Sequence, residues 1–149
     1  MKTIITAFSF LLLLSLSLVS CKKDGSSPSG RELVGEWREL GLNRSLRFKG
    51  DQTFQFSVDH GDGSSTVITG TYKTEGDSLE ITAQKMLQQL PGQSLKWETA
   101  NHTLYENATF EIFKDVLTLK YTTYPADAPL PTTAKFQRQI VIDNGGLVH

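Results

Sequence analysis

Apolar and polar residues alternate with a period of two along most of the chain after Arg31, a pattern typical of β-strands with one buried face. Leu46 and Phe48 alternate with charged residues, and residues 53–58 repeat the pattern after the turn signal Gly50-Asp51. The remaining runs cover residues 34–40, 66–74, 78–83, 95–99, 109–113, 116–121 and 133–142. The pattern therefore predicts eight or nine strands.

The connections between these runs are short, and no helical crossover of the kind that parallel strands need separates them. We therefore expect antiparallel neighbours joined as up-and-down hairpins. Such a meander hides its edges best when it closes on itself. The predicted fold is all-β, a single antiparallel up-and-down β-barrel of about eight strands, and a two-sheet sandwich is the alternative.

Residues 83–90 break the two-residue period. The segment contains good helix formers, and Met86 and Leu90 can share one helical face before Pro91 ends it. It predicts a short helix or an ordered loop over one mouth of the barrel. Trp97 is expected beside it, either at the rim of the mouth or in a loop packed on the outside.

The first 20 residues have the pattern of an export signal. Lys2 precedes an almost entirely apolar run over residues 4–19, which falls short of the roughly 20 residues that span a bilayer as a helix. The run ends at Leu18-Val19-Ser20-Cys21, which resembles a bacterial lipobox. Because Cys21 is the only cysteine, no disulfide can form within the chain and lipidation explains the lone thiol. A plain secretory signal followed by a chance cysteine is the alternative.

Residues 21–30 join the cysteine to a polar stretch rich in Gly, Ser and Pro, which predicts a flexible tether. The start Cys21-Lys22-Lys23-Asp24 resembles that of many Bacteroidetes lipoproteins. The chain is thus divided into a signal peptide at 1–20, a lipidated cysteine and tether at 21–30, and a barrel domain at 31–149. Two or more acyl chains anchor a protein stably. We therefore expect attachment to the outer membrane of the cell envelope, facing the periplasm or the cell surface.

The charge of the exported part is nearly balanced. Removing residues 1–20 takes away Lys2 and no acid, so 14 of the 15 basic residues remain against 16 acidic ones. A nucleic-acid-binding domain usually carries a basic face. The composition therefore argues against nucleic acid as a partner.

The side chains that usually carry metal or acid–base chemistry are scattered. His60, His102 and His149 lack metal-ligand spacing, and a second cysteine is absent from the sequence. The oxygen-rich stretch 59–65 has the residues of a hairpin turn and lacks the terminal bidentate acid of an EF-hand loop. We expect no metal, no cofactor and no catalytic residue.

Three carboxylates, Glu80, Glu98 and Glu111, alternate with apolar neighbours. The pleat of a strand places such residues on the outer, wet face. Paired acid–base catalysis would instead need two carboxylates converging in a cleft. The domain is therefore not expected to be an enzyme.

Gly35 and Trp37, within Leu33-Val34-Gly35-Glu36-Trp37, form a Gly-x-Trp motif. This motif resembles the opening signature of the lipocalins and their bacterial lipocalin-like relatives, and the resemblance extends over about residues 31–142. In lipocalins a late arginine packs over the tryptophan near the closed end of the barrel, and Arg138 is the matching position. The resemblance implies a structural plug formed by Gly35, Trp37 and Arg138. The alternative is that Trp37 is core and Arg138 is an unpaired surface charge.

Inward-facing aromatic and aliphatic residues are candidates for lining a ligand cavity. An eight-stranded barrel is either just filled by side chains or holds one small ligand, and both outcomes remain open here. The candidates for the cavity lining are Phe48, Phe54, Phe56, Tyr72, Phe110, Leu119, Tyr121 and Phe136.

Two functional hypotheses follow. The first is a membrane-anchored lipocalin-like lipoprotein, held by the lipid at Cys21, that binds a small apolar or amphipathic ligand in the barrel. The second is a non-enzymatic accessory envelope lipoprotein with a packed barrel that docks a protein partner through its outer face or loops. The sequence specifies neither the ligand nor the partner.

Overall fold

A computed structural model describes residues 30–125 and 128–140 of the chain. A single helical turn, α1, covers Gly30–Leu33 and precedes the strands. The strands are β1 (Gly35–Glu39), β2 (Arg44–Phe48), β3 (Thr53–Asp59), β4 (Ser65–Glu75), β5 (Ser78–Gln89), β6 (Lys96–Thr103), β7 (Glu106–Phe113), β8 (Val116–Thr123) and β9 (Leu130–Gln139).

Eight of these strands close into an antiparallel barrel, so the predicted fold class is confirmed. Each of β1 to β5 pairs with the next strand in the chain, and β5 pairs with β7, β7 with β8 and β8 with β9. The pairing of β9 with β1 completes the ring, with Trp37 opposite Arg138. β6 lies outside the closed barrel and pairs with the second half of β5.

The helix expected as one alternative near residues 83–90 is wrong, because this segment is the second half of β5. Met86 lies opposite Ile68 of β4 and Glu98 of β6, so the backbone here has strand partners on both edges. The register shifts at Gln84, which has no partner in either ladder. An extra residue of this kind reverses the inward and outward positions beyond it. The two-residue pattern is therefore interrupted although the strand continues.

The bulge also explains a glycine in the neighbouring strand. A Cβ built on Gly70 would lie 1.9 Å from the carbonyl oxygen of Thr82 and 2.9 Å from the ring of Phe54. Only a glycine lets β4 and β5 approach this closely. Gly70 therefore permits the close approach of β4 to β5 at the point where the register of β5 changes.

The buried core fills the inside of the barrel. Its largest fully buried members include Trp37, Phe48, Phe54 and Phe136. Within the described part of the chain, every buried core residue lies between Leu33 and Phe136. This part of the chain is therefore a complete folding unit with its own core.

The two ends of the barrel differ. At the end that we call the capped end, α1 lies against the strands, and its Leu33 is fully buried. The hairpin turns at 49–52, 76–77 and 114–115 share that end. The opposite end, called the open end, carries the connections at 40–43, 60–64, 90–95 and 124–129, of which residues 126 and 127 lie outside the described part.

Candidate functional site

The Gly-x-Trp motif and Arg138 meet at the capped end. The guanidinium carbon of Arg138 lies 4.1 Å from the centre of the Trp37 ring. The indole nitrogen of Trp37 donates a hydrogen bond to the Leu33 carbonyl at 2.8 Å. Arg138 donates to the carbonyls of Val34 at 3.0 Å and Glu32 at 2.6 Å. Two side chains therefore tie α1 across this end.

Gly35 lies directly beside the guanidinium. Its φ of +142° is a conformation that residues with a side chain rarely adopt. A Cβ at this position would lie 2.8 Å from Nη1 of Arg138. The absence of a side chain at Gly35 thus leaves the space that Arg138 occupies.

Most of the eight candidate cavity-lining residues pack against one another rather than around a space. Phe48, Phe54, Tyr72, Phe110, Leu119 and Phe136 are all buried members of one core cluster. The rings of Phe48 and Tyr72 meet edge to face with centres 4.9 Å apart, and the Tyr72 hydroxyl donates to the Lys49 carbonyl at 2.8 Å. The barrel interior from the capped end to the middle is filled by side chains.

The other two candidates, Phe56 and Tyr121, lie nearer the open end, where burial is less complete. Tyr121 is half-buried, and its ring centre lies 4.5 Å from that of Tyr105. Tyr105 also meets Phe56 edge to face at 6.4 Å. Tyr105 comes from the short connection between β6 and β7, which carries no strand alternation, so the sequence pattern did not single it out.

A charged pair lies on the same inner wall. Glu39 follows Trp37 by two positions and Arg44 precedes Leu46 by two, so both occupy inward-facing positions of β1 and β2. A guanidinium nitrogen of Arg44 lies 3.6 Å from a carboxylate oxygen of Glu39. The Glu39 side chain is only 9% exposed, whereas that of Arg44 is 43% exposed. Sequence reasoning missed both residues, although their positions in the alternation were a usable signal.

The electrostatics of these groups reflect their burial. Desolvation raises the pKa of Glu39, and the positive charge of Arg44 only partly opposes this effect. Desolvation also raises the pKa of Tyr105 and of Tyr121, and the nearby Glu39 carboxylate adds to both increases. Both phenols therefore stay protonated at neutral pH and present hydroxyl donors beside a carboxylate.

We call these five residues, Glu39, Arg44, Phe56, Tyr105 and Tyr121, the open-end cluster. The cluster combines aromatic surface with one acidic and one basic group, and Tyr105, Tyr121 and Arg44 are less buried than the core residues. Such a mixture of apolar walls and a few polar groups is typical of sites for small molecules. Chemically the cluster can bind and orient a ligand.

The larger concavities that we describe lie on the outside of the barrel. One of about 370 Å³ runs across the outer faces of β1 to β4 and is lined by Arg38, Ser57 and Val67 among others. Another of about 500 Å³ lies beside the exposed Trp97. Both are open to solvent and lie outside the barrel, whereas the first functional hypothesis places the ligand inside it.

The expected position of Glu98 is wrong. Glu80 and Glu111 are exposed as predicted, but Glu98 is half-buried on the face of β6 that Met86 shares, and Lys96 pairs with it at 2.8 Å. Trp97, which is 55% exposed, takes the outer position opposite Leu87.

The oxygen-rich stretch between β3 and β4 has the geometry of a turn. Asp59 accepts a hydrogen bond from the amide of Gly61, and Asp62 accepts one from the amide of Ser64. His60 forms a hydrogen bond with the Thr66 hydroxyl at 3.0 Å. Among residues 30–125 and 128–140, no three His, Cys, Asp or Glu side chains converge as a metal site would require.

The predicted signal peptide, Cys21 and residues 22–29 of the predicted tether lie outside the described residues, whereas the last tether residue, Gly30, begins α1. Within the described part of the chain, no helix has the length and apolar character needed to cross a membrane. Comparisons of this chain with protein-family models, with curated proteins and with solved structures find no match.

Proposed function

We propose that this chain is a membrane-anchored, lipocalin-like lipoprotein that binds a small amphipathic molecule at the open end of its barrel. The observation that carries the proposal is the change along the barrel interior. Fully buried apolar side chains, such as Phe54 and Phe136, give way to an open-end cluster in which Tyr105 and Tyr121 are half-buried and Arg44 is exposed. The proposed site is therefore shallow, because the deeper part of the barrel interior is filled by packed side chains.

The physical case rests on the mixture of groups in the cluster. Phe56 and Tyr121 offer apolar surface, while Glu39, Arg44 and the Tyr105 hydroxyl offer charge and hydrogen bonds. Val58 and Ile68 pack against the core beside them and extend the apolar wall. An amphipathic ligand can place its apolar part against this wall and its polar group at the charged pair.

The membrane anchor is part of the same proposal and rests on Cys21 and the lipobox-like residues before it. The tether joins the barrel at α1, which belongs to the capped end. Cys21→Ser is expected to release the protein from membranes; undiminished membrane partitioning of this variant, measured by fractionation, would exclude the lipid anchor.

Ligand binding can be tested by native mass spectrometry of the protein purified gently from its own host. The expected result is an additional mass that disappears on denaturation and that is lost in a Tyr121→Ala variant. The matched control is Phe113→Ala, because the Phe113 side chain is exposed outside the barrel near the capped end. A ligand-free mass for the wild-type protein, with no uptake of a fluorescent fatty-acid probe, would contradict the proposal.

The second candidate function, docking of a protein partner, is favoured by a specific observation at the same end. The larger group of exposed apolar side chains lies in or beside the open-end connections: Leu40, Leu42, Leu90, Leu95, Trp97, Tyr124 and Leu130. Exposed apolar patches often mark interaction sites. Cross-linking in intact cells separates the candidates, since a docking function requires an adduct that Leu40→Ser with Leu95→Ser abolishes while any bound ligand mass persists.

A further inference from the structure

The most informative group in the open-end cluster is the Glu39 carboxylate. Its side chain is more than nine-tenths buried, and within the described residues its only charged partner is Arg44, at 3.6 Å. That separation exceeds the length of a hydrogen bond. The pKa of Glu39 is raised because burial outweighs the attraction of Arg44. A partly desolvated carboxylate whose one ion pair is long can gain from a closer cationic partner.

Two tyrosine rings lie near enough to this carboxylate for its charge to raise the pKa of Tyr105 and of Tyr121. Tyr105 and Tyr121 lie with ring centres 4.5 Å apart, and Phe56 packs edge to face against Tyr105. The face of an aromatic ring carries partial negative charge and attracts cations, especially in desolvated sites. A carboxylate near two such rings, with a third ring packed against one of them, therefore favours positive charge.

Arg44 is the group that a cationic ligand would replace. Its side chain is 43% exposed and lies at the end of β2, so it can turn into solvent without leaving a buried charge behind. Lys96 and Glu98 of β6, outside the closed barrel, already form their own ion pair at 2.8 Å. An anionic ligand would have to approach the buried Glu39 carboxylate, which has no such freedom.

We propose that the open-end cluster binds an organic cation, an amphiphile whose ammonium group contacts Glu39 and the rings of Phe56, Tyr105 and Tyr121. This inference rests on the proposed ligand-binding function and names the chemical class of the ligand. Arg44 occupies the place of the ammonium group when the ligand is absent. The apolar part of the ligand lies against Val58 and Ile68.

The test compares three ligands that share an octyl chain and differ in charge: octyltrimethylammonium, octanoate and octanol. Calorimetric titrations at neutral pH use residues 22–149, which contain the whole buried core. The ammonium compound is expected to bind most tightly. Glu39→Gln is expected to weaken it about ten- to hundredfold, the range for a hydrogen bond or contact with a charged group, and to leave octanol unchanged. Arg44→Gln is expected to strengthen the ammonium compound.

The control is Glu36→Gln, because Glu36 lies three positions earlier in the same region but pairs with Arg47 on the outer face. Glu39→Gln removes a charge that burial opposes, so this variant is expected to fold. Tighter binding of octanoate, lost in Arg44→Gln, would overturn the cation inference and leave the proposed function standing. Equal binding of all three ligands, unaffected by Glu39→Gln, would also overturn the cation inference without contradicting the proposed function. If none of the three binds and the native mass is ligand-free, the proposed function fails as well.

Discussion

The capped and open ends of this barrel are built from similar residue types used in opposite ways. Each end has an arginine beside an aromatic or acidic partner on the inner wall. At the capped end, Arg138 lies over the fully buried Trp37 and donates to two backbone carbonyls. At the open end, Arg44 only approaches Glu39 and stays 43% exposed. The first arginine is held by several contacts, whereas the second is free to move.

From this difference we expect the capped end to stabilise the fold and the open end to recognise a ligand. Saturated hydrogen bonds and tight packing stabilise one end, because buried polar groups are costly unless they are paired. At the other end, Glu39 and Arg44 approach each other only to 3.6 Å, so a ligand can form closer contacts with either group. The predictions below test whether stability and recognition are separated in this way.

The largest effect is expected for Trp37→Ala, which removes a fully buried indole from the capped end. The free energy of unfolding should fall by about 3 to 5 kcal/mol, as for other large-to-small core substitutions. Urea denaturation followed by circular dichroism measures this loss. The matched control is Trp97→Ala, since Trp97 is exposed on β6. Similar losses for the two tryptophans would refute the distinction between the ends.

A smaller loss is expected for Arg138→Gln. The shorter, neutral side chain cannot keep the contact with Trp37 together with both hydrogen bonds to the carbonyls of α1 and Val34. We expect a loss of about 1 to 3 kcal/mol in the free energy of unfolding. Arg47→Gln is the control, because Arg47 forms an exposed pair with Glu36, and such pairs contribute about 1 kcal/mol or less. An unchanged stability of Arg138→Gln would show that α1 is held by apolar packing alone.

At the open end, Glu39→Gln is expected to alter how the free energy of unfolding varies with pH more than it alters the magnitude of that free energy. The pKa of Glu39 is raised in the folded protein, so the folded state binds the proton more tightly than the unfolded state does. Glu39 therefore favours folding below its ordinary pKa, and this contribution is lost as the pH rises through the raised value. The pKa values of Tyr105 and Tyr121 are raised, so their phenols stay protonated over that range.

The measurement is a set of urea midpoints between pH 3 and 8 for the wild-type protein and for Glu39→Gln. The difference between the two proteins isolates Glu39, since other carboxylates titrate alike in both. The wild-type protein should lose stability relative to the variant as the pH rises through this window. Parallel curves would mean that Glu39 is solvated in both states and would weaken the case for an unsatisfied carboxylate.

The smallest effect is expected for Leu95→Ser in the connection between β5 and β6. Leu95 is exposed, so the free energy of unfolding should change by no more than about 0.5 kcal/mol. Urea denaturation again provides the value, with the buried Leu119→Ser as the contrasting variant. A large loss for Leu95→Ser would place this side chain in a packed contact and remove it from the exposed apolar rim.

The sequence predicted the parts of the fold that depend on local order. The alternation at Leu46 and Phe48 and the turn residues Gly50-Asp51 were enough to place β2, β3 and the hairpin between them. These signals lie within a few residues of one another, because a strand exposes alternate side chains to opposite faces. The Gly-x-Trp resemblance likewise pointed to residues that the structure brings together with Arg138.

The candidate site was harder to predict. Tyr105 lies in a connection without alternation of apolar and polar residues. The bulge at Gln84 interrupts the two-residue period of β5, so the second half of this strand was predicted as a helix or loop. Glu39 and Arg44 occupy inward positions, but a charge at the end of a strand usually reaches solvent, so alternation alone did not mark them as buried. Their burial depends on how far the neighbouring strands extend beyond them.

By itself, then, the sequence determined that the chain forms antiparallel strands with one apolar face, because that information is local and repeats every two residues. Only the tertiary structure decided how the barrel closes and how completely its interior is filled. Closure depends on the register between β9 and β1, and filling depends on which side chains from distant strands reach the same layer. Both are properties of residues far apart in the chain. The same holds for the proximity of Glu39 to Arg44 and Tyr105, which come from separate parts of the chain.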